Sequence, residues 1–191
     1  MRKILAIIWV FLLIPALGAF TAAFGGEGKM IPFQLNQQGS PKKVAPDQLN
    51  SLVETAILAG TNQERQKKGL SPLSDQALLK KAAVDHSRDM MRRSYLSHFS
   101  PEGKSVVDRV QKYVKPLQTS VGENLHTIQS GKGLYDAQAI ADLMLSDWMH
   151  SKSHRKNILG KQFTQLGVGC ASDGREIYCT QVFSGPNLSP R

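Results

Sequence analysis

The sequence predicts an α+β fold. Apolar residues recur at helical spacing in three stretches: Leu49 to Ile57, Leu78 to Met90, and Ala137 to Trp148. The period then changes. From Phe163 to Phe183 the side chains alternate in strand fashion around Asp173-Gly174, a strong hairpin-turn signal. Three or four helices and a terminal hairpin result.

At 191 residues, one domain of ordinary size with a short appendage is expected. A hydrophobic content of 41% can fill a core without relying on cysteines alone. The formal charge of +9 falls to +7 once Arg2 and Lys3, which belong to a segment expected to leave the mature protein, are set aside. The remaining basic residues include the pairs Lys42-Lys43, Lys67-Lys68, Lys80-Lys81 and Arg92-Arg93, with no run long enough to form a nucleic-acid arm. They read as a solvated surface. The alternative is attraction to anionic lipid heads or an acidic wall polymer, and steep salt dependence would reveal it.

In chain order, Met1-Arg2-Lys3 followed by the apolar run Ile4 to Leu17 and small residues to Ala23 has the layout of a secretory signal peptide. The apolar stretch reaches Phe24, so residues 1–23 also have nearly the length of an uncleaved anchor. Pro15 favours a peptidase site over a continuous spanning helix. Either way, the domain is expected outside the cytoplasm, secreted, periplasmic or on the cell envelope. Residues 24–46 lack periodicity and read as a flexible linker, residues 47–185 as the domain, and residues 186–191 as a disordered tail.

The first helix is expected from Asp47 to about Lys68, closed by Gly69. Asn62 and Arg65, three apart, share a face. Ser74 is the expected N-cap of a second helix, with Asp75 suiting its dipole. His86 falls on that helix's buried stripe, the place of a core hydrogen-bonder. A Pro/Gly-containing loop carries Ser97-His98-Phe99-Ser100-Pro101, with Glu102 as a cap-like residue for a third helix around Ser105 to Tyr113. Between Lys115 and Leu134 the chain is polar except at Val121-Gly122-Glu123-Asn124-Leu125, where Glu123 is expected to orient or charge a histidine, the alternative being that Glu123 and Asn124 only tie a loop to the sheet. Glu123, between Val and Leu, is expected to be partly buried, and a buried carboxylate must find a partner or a proton. An imidazole is the obvious partner. Ser130-Gly131-Lys132-Gly133 lacks the earlier glycine and the final Ser/Thr of a phosphate loop and is rejected as one. Cys170 and Cys179, the only two cysteines, flank the hairpin turn of an apparently exported chain, so a cross-strand disulfide is expected, adding roughly 2–3 kcal/mol in the chain-entropy account.

A resemblance then emerges from motif order. His98-x-Ser-Pro, Gly-Glu123-Asn-Leu, Trp148-x-x-Ser-x-x-His154-Arg-x-Asn-Ile-Leu and Phe163-Thr-x-x-Gly-Val-Gly, together with Asn62-x-x-Arg65 and Ala83-x-x-His86-Ser87, resemble the bacterial branch of the CAP superfamily over roughly Leu49 to Phe183. That superfamily takes its name from cysteine-rich secretory proteins, antigen 5 and pathogenesis-related 1 proteins, and its module is also called the SCP domain. The resemblance implies a three-layer α/β/α sandwich with a small, mainly antiparallel sheet. It implies structural hydrogen-bonding for Asn62 and Arg65. It also implies a cleft with two histidines and two acids, which fall on His98, His154, Glu123 and, for the second acid, Ser151. Serine there removes one charge and one oxygen ligand.

Two neutral imidazoles plus a carboxylate can hold a divalent ion, zinc first among candidates, at modest affinity. His98 and His154 are the expected ligands, gathered with Glu123 around a common water-accessible hollow. His150 and His154, four apart, form a rival pair, but no acidic third partner lies within a turn. Ser151 would share a face with His154 if the helix persists, yet no nucleophile-elbow motif accompanies it. The favoured function is an extracellular binding module whose cleft takes a divalent metal or a small amphipathic ligand. The alternative is a metal-assisted or acid–base hydrolase using the same three residues. A monomer is expected, with a lipid or cell-envelope component as partner, peripheral membrane contact open, and no nucleic acid.

Overall fold

The computed structural model describes residues 44–114, 119–131, 133–134 and 136–186. The expected signal peptide or anchor, the linker up to residue 43, the tail from residue 187 and Lys132 lie outside the described residues.

Helix α1 spans Pro46–Gln66. Pro46, assigned to the linker by sequence, opens the first turn, where its missing N–H leaves no helical bond unmade. Leu49, Val53 and Ile57 are fully buried. Gly69, at φ 66°, turns the chain beyond the helix in the left-handed conformation that glycine tolerates. Ser74 is not a cap. Ser74–Asp75 instead form a two-residue strand, β1, parallel to the later strand β3. The exposed edge of that strand satisfies their backbone, with Ser74 N–H donating to Thr164 O and Gln76 N–H to Leu166 O. Helix α2 therefore begins later, at Ala77–Arg93, and Gln76 caps it through its side-chain oxygen.

Helix α3 is short, Val106–Gln111, and starts in a capping box between Ser105 and Asp108. Glu102 does not cap it but pairs with Arg93 at 2.7 Å. The stretch read as a loop is a strand, β2, Val121–Gln129. Helix α4, Ala137–His150, ends where Ser151 adopts an extended conformation (φ −81°, ψ 123°). A seven-residue helix, α5, Lys152–Ile158, follows before the sheet resumes. Strands β3 (Gln165–Ser172) and β4 (Glu176–Ser184) form the expected hairpin, with Gly174 at φ 92° in the turn. Asp173 accepts from the N–H groups of Arg175 and Glu176, and these bonds hold its carboxyl below the ordinary value. Cys170 and Cys179 face one another across the hairpin and are bridged.

The sheet order is β1-β3-β4-β2, antiparallel except for β1 with β3. Leu166, Val168 and Cys170 of β3 pack into one core with α1, α4 and Trp148. Leu79, Ala82, Ala83 and Val110 form a second core with Val182 of β4. Helices thus cover both faces, as the three-layer expectation required. The alternate β3 residues, Gly167 and Gly169, face α2 at backbone distance. A Cβ on Gly167 would sit 2.1 Å from Lys80 N, and one on Gly169 2.1 Å from Val84 N. Ser87 Oγ seals the contact by donating to Gly169 O at 2.8 Å.

Gly169→Ala is therefore expected to push α2 off the sheet and lower stability by about 1–3 kcal/mol, as overpacking does. Urea unfolding measures it, and a variant as stable as the parent would refute the backbone contact.

Candidate functional site

Strand β2 carries the acid. Glu123 pairs with Val182 of β4 in the ladder, and its side chain is only 2% exposed. A charge so placed needs compensation, and two groups supply it. Arg109 of α3 donates from Nη2 to Glu123 Oε2 at 2.5 Å. His98 Nδ1 lies 2.8 Å from Glu123 Oε1. The carboxylate accepts, so the Nδ1 of His98 carries the proton, and in the neutral ring Nε2 is left with its lone pair. The His98 side chain is 52% exposed, so that nitrogen belongs to the solvent side of the pair.

Arg109 does more than neutralise. Its Nη1 donates to the carbonyls of His98 (3.1 Å) and Lys104 (2.9 Å). One guanidinium therefore fixes both the acid and the loop that carries its imidazole partner. His86, buried as expected, holds the start of the same loop through Nε2 and Ser97 O at 2.9 Å. Burial lowers its pKa first, and the charge of Arg109 lowers it further.

On the other side of β2, polar side chains attach α5. Asn157 Nδ2 donates to Glu123 O (3.0 Å) and to Asn124 Oδ1 (2.9 Å). Asn124 Nδ2 donates to His154 O (3.2 Å) and to Gln181 Oε1 (3.0 Å). Gln181 reaches Thr61 of α1 at 2.8 Å. His154 is thus placed through its backbone, while its ring is partly buried. Its pKa is lowered, first by burial and then by the charges of His98 and His126. His126, on β2, pairs with Asp147 at 2.8 Å and meets the buried Trp148 edge-on.

The structure therefore joins His98 to Glu123 directly and sets His154 within electrostatic reach of His98. Among the described residues, no group of three or more His, Cys, Asp or Glu side chains is arranged to hold a metal ion. Glu123 orients His98, and each of its oxygens already has a partner, His98 on one and Arg109 on the other. The imidazoles of His98 and His154 are side chains that could serve as metal donors. His150 is exposed and turns Nδ1 to Ser146 O at 2.7 Å. The Ser151 hydroxyl meets Ser153 at 3.1 Å, and Ser151 stands at the N-cap of α5 rather than within one continuous helix. Asn62 and Arg65 are structural: Asn62 bonds both backbone groups of Leu73, and Arg65 binds the carbonyls of Ser71, Ile158, Gly160 and Phe163.

Sequence reasoning missed Arg109 and His126, and carried Asn157 only as part of a motif, without a role. An arginine in a short helix carries no signal of its own. His126 became legible only once β2 was a strand.

The sequence profile of the cysteine-rich secretory protein family, CAP, matches residues 58–183. The chain belongs to the CAP family. This CAP domain is 38% identical over 135 residues to the uncharacterized protein YkwD of Bacillus subtilis (strain 168), covering 71% of this chain and 48% of that protein. It is 31% identical over 147 residues to the uncharacterized membrane protein YlbC of the same organism, covering 74% and 40%. The chain spans about half or less of the length of these relatives. Among solved structures it resembles an extracellular protein containing an SCP domain from Bacillus anthracis str. Ames, at 30% identity and TM-score 0.57, over 73% of this chain and 43% of that one. An outer surface protein of Borrelia burgdorferi shares the fold at 16% identity and TM-score 0.59, over 76% and 98%. Among the described residues of the CAP domain, no helix is long and apolar enough to cross a membrane.

Arg109→Met would leave Glu123 buried with only His98 beside it. We expect a loss of about 3 kcal/mol, the lower end for breaking a buried pair, because His98 still compensates in part. Arg109→Met/Glu123→Leu should recover much of that loss in chemical denaturation, and failure to recover any would refute the pairing account. NMR titration should place the His154 midpoint below the ordinary histidine value of about 6.5. His126→Gln should move it upward, and an unmoved midpoint would remove His126 from its electrostatic surroundings. A depressed His154 pKa contributes stability that is present above about pH 6.5 and lost as pH falls through the folded-state value.

Proposed function

We propose that this CAP domain is an extracellular or envelope-displayed binding module, and that its ligand is read at the His98–Glu123–His154 cleft. The observation that carries the reading is the buried carboxylate oriented on His98. Glu123 fixes the ring's tautomer and leaves Nε2 at the solvent side, as an outer-sphere acid does for a metal-binding or hydrogen-bond-accepting imidazole. His154, biased toward its neutral form, offers a second lone pair.

His98 and His154 are the residues that would hold a divalent ion, zinc first, with water or ligand oxygen completing its sphere. Such an ion would supply Lewis acidity and a positive centre for an oxygen-bearing ligand. Two imidazoles make a modest site, and its affinity falls as protons compete below the histidine range. Beside His98, Phe99 and Leu96 are 57% and 51% exposed and supply an apolar lip suited to an amphipathic ligand, such as a lipid or envelope component. Location outside the cytoplasm is supported by the sequence of residues 1–23 and by the extracellular Bacillus anthracis protein it resembles.

A hydrolase built on the same residues would use His154 as its base, with no activated serine, since the Ser151 hydroxyl meets Ser153. Turnover of a peptide or ester panel that disappears in His98→Ala/His154→Ala would establish that alternative. For the binding reading, zinc at about a hundredfold over Kd should stabilise the protein by about 2.7 kcal/mol, a rise in Tm of roughly 5 °C or more. The rise should vanish in His98→Ala/His154→Ala. An equal rise in the double variant would exclude these residues as the site.

A further inference from the structure

We propose that the outward face of α5 is a docking surface for a hydrated polyanion, a phosphodiester-bearing polymer of the envelope type rather than a bilayer. The inference uses neither His98 nor His154 and goes beyond the cleft.

Charge sequence comes first. From Trp148 to Ser172 the chain has no Asp or Glu, yet it carries Lys152, Arg155, Lys156 and Lys161, all exposed. Positions 152, 155 and 156 are spaced i, i+3, i+4 and share one side of α5. The opposite side belongs to the fold: Ile158 is fully buried and Asn157 is tied to Glu123 O. The cations therefore stand on the outer wall of the helix whose inner side bears His154. Arg65 binds Ile158 O and Gly160 O, which draws the end of α1, with exposed Lys68, toward the C-terminal side of the same patch.

These cations lack internal counter-charges. Elsewhere several basic side chains are matched, as in Lys67–Glu64, Lys80–Glu54, Arg92–Asp89, Arg93–Glu102 and Lys112–Asp85, and the unmatched Lys81, Arg88, Lys104 and Arg175 form no i, i+3, i+4 row like that of α5. Among the described residues, none of Lys68, Lys152, Arg155, Lys156 and Lys161 lies within 4.0 Å of a carboxylate. Arg155 donates to a neutral carbonyl, that of Met149, which leaves its charge uncompensated. Like charges at i, i+4 oppose helix formation, and a polyanion laid along the face would relieve that repulsion.

The absence of an apolar wedge decides between polymer and membrane. A helix that rests on a bilayer inserts an apolar face, whereas the apolar side of α5 is spent on the protein's own core. The exposed large apolar residues, Leu52, Leu96, Phe99, Val107 and Leu143, all lie off α5. What remains is a row of ammonium groups and one guanidinium, which pair with phosphates without burial.

The test titrates the full chain with long-chain inorganic polyphosphate at low and rising salt. The variant K152Q/R155Q/K156Q is compared with K67Q/R92Q/K112Q, which removes equal charge at exposed, paired positions. The first variant should bind at least tenfold more weakly, with the slope of log K against log salt reduced by roughly two to three. The second should stay within about twofold of the parent, and His98→Ala/His154→Ala should bind like the parent. Equal losses in both charge variants would overturn the proposal, since net charge alone would then explain binding. It also fails if the parent binds phosphatidylglycerol vesicles but not polyphosphate, or binds oligothymidylate more tightly than polyphosphate.

Discussion

Glu123 is a carboxylate driven into the protein by its place on β2, and much of the site's local architecture answers that burial. A nearly inaccessible charge must be matched on each oxygen or lose its ionisation. Arg109 takes one oxygen and His98 the other. Because Arg109 also grips the carbonyls of His98 and Lys104, neutralising the acid and shaping the loop are one event. The capping box at Ser105 and Asp108 sets the helix from which Arg109 reaches. The half-exposed imidazole is consequently held by buried groups, the condition under which a surface side chain keeps a fixed direction.

The second support of the site is a relay of neutral polar side chains. Thr61, Gln181, Asn124 and Asn157 link α1, β4, β2 and α5 in succession. Each link is buried or partly buried, so losing one leaves its neighbours unsatisfied. Arg65 adds a second tie between α1 and the end of α5 with the segment that follows it. The backbone of His154 is thereby referred to the same strand that bears Glu123. Its ring senses His98 and His126 through their charges.

How much of this could be read in advance differed by element. The periodic helices α1, α2 and α4 and the terminal hairpin were legible because their apolar spacing is long and regular. Strand β2 was not. Gly122, Glu123 and Asn124 break its alternation, since the buried side chains there are polar and are satisfied by groups distant in sequence, namely His98, Arg109 of α3, α5 and Gln181 of β4. Ser74 looked like a cap because local chemistry allows it, but the open edge of β3 offers its backbone partners that no local motif can supply. Ser151 interrupts what sequence reads as the end of one helix, and α5 becomes a separate element. His98 and Glu123 were found as a pair by motif order, whereas Arg109, which binds the second oxygen of Glu123, belongs to no motif.

The order of residues was enough for the helical stripes, the Asp173-Gly174 hairpin with its cysteines, the buried role of His86, and the motif series that marks the CAP family. All of these rest on near neighbours along the chain or on the succession of short motifs. Folding in three dimensions chose the partners of Glu123, the backbone contact of α2 with Gly167 and Gly169, and the outward placement of the α5 cations. Those depend on which groups meet across tens of residues. Local propensity says nothing of such meetings, because the free energy of a buried charge or a close backbone approach is set by what lies opposite it.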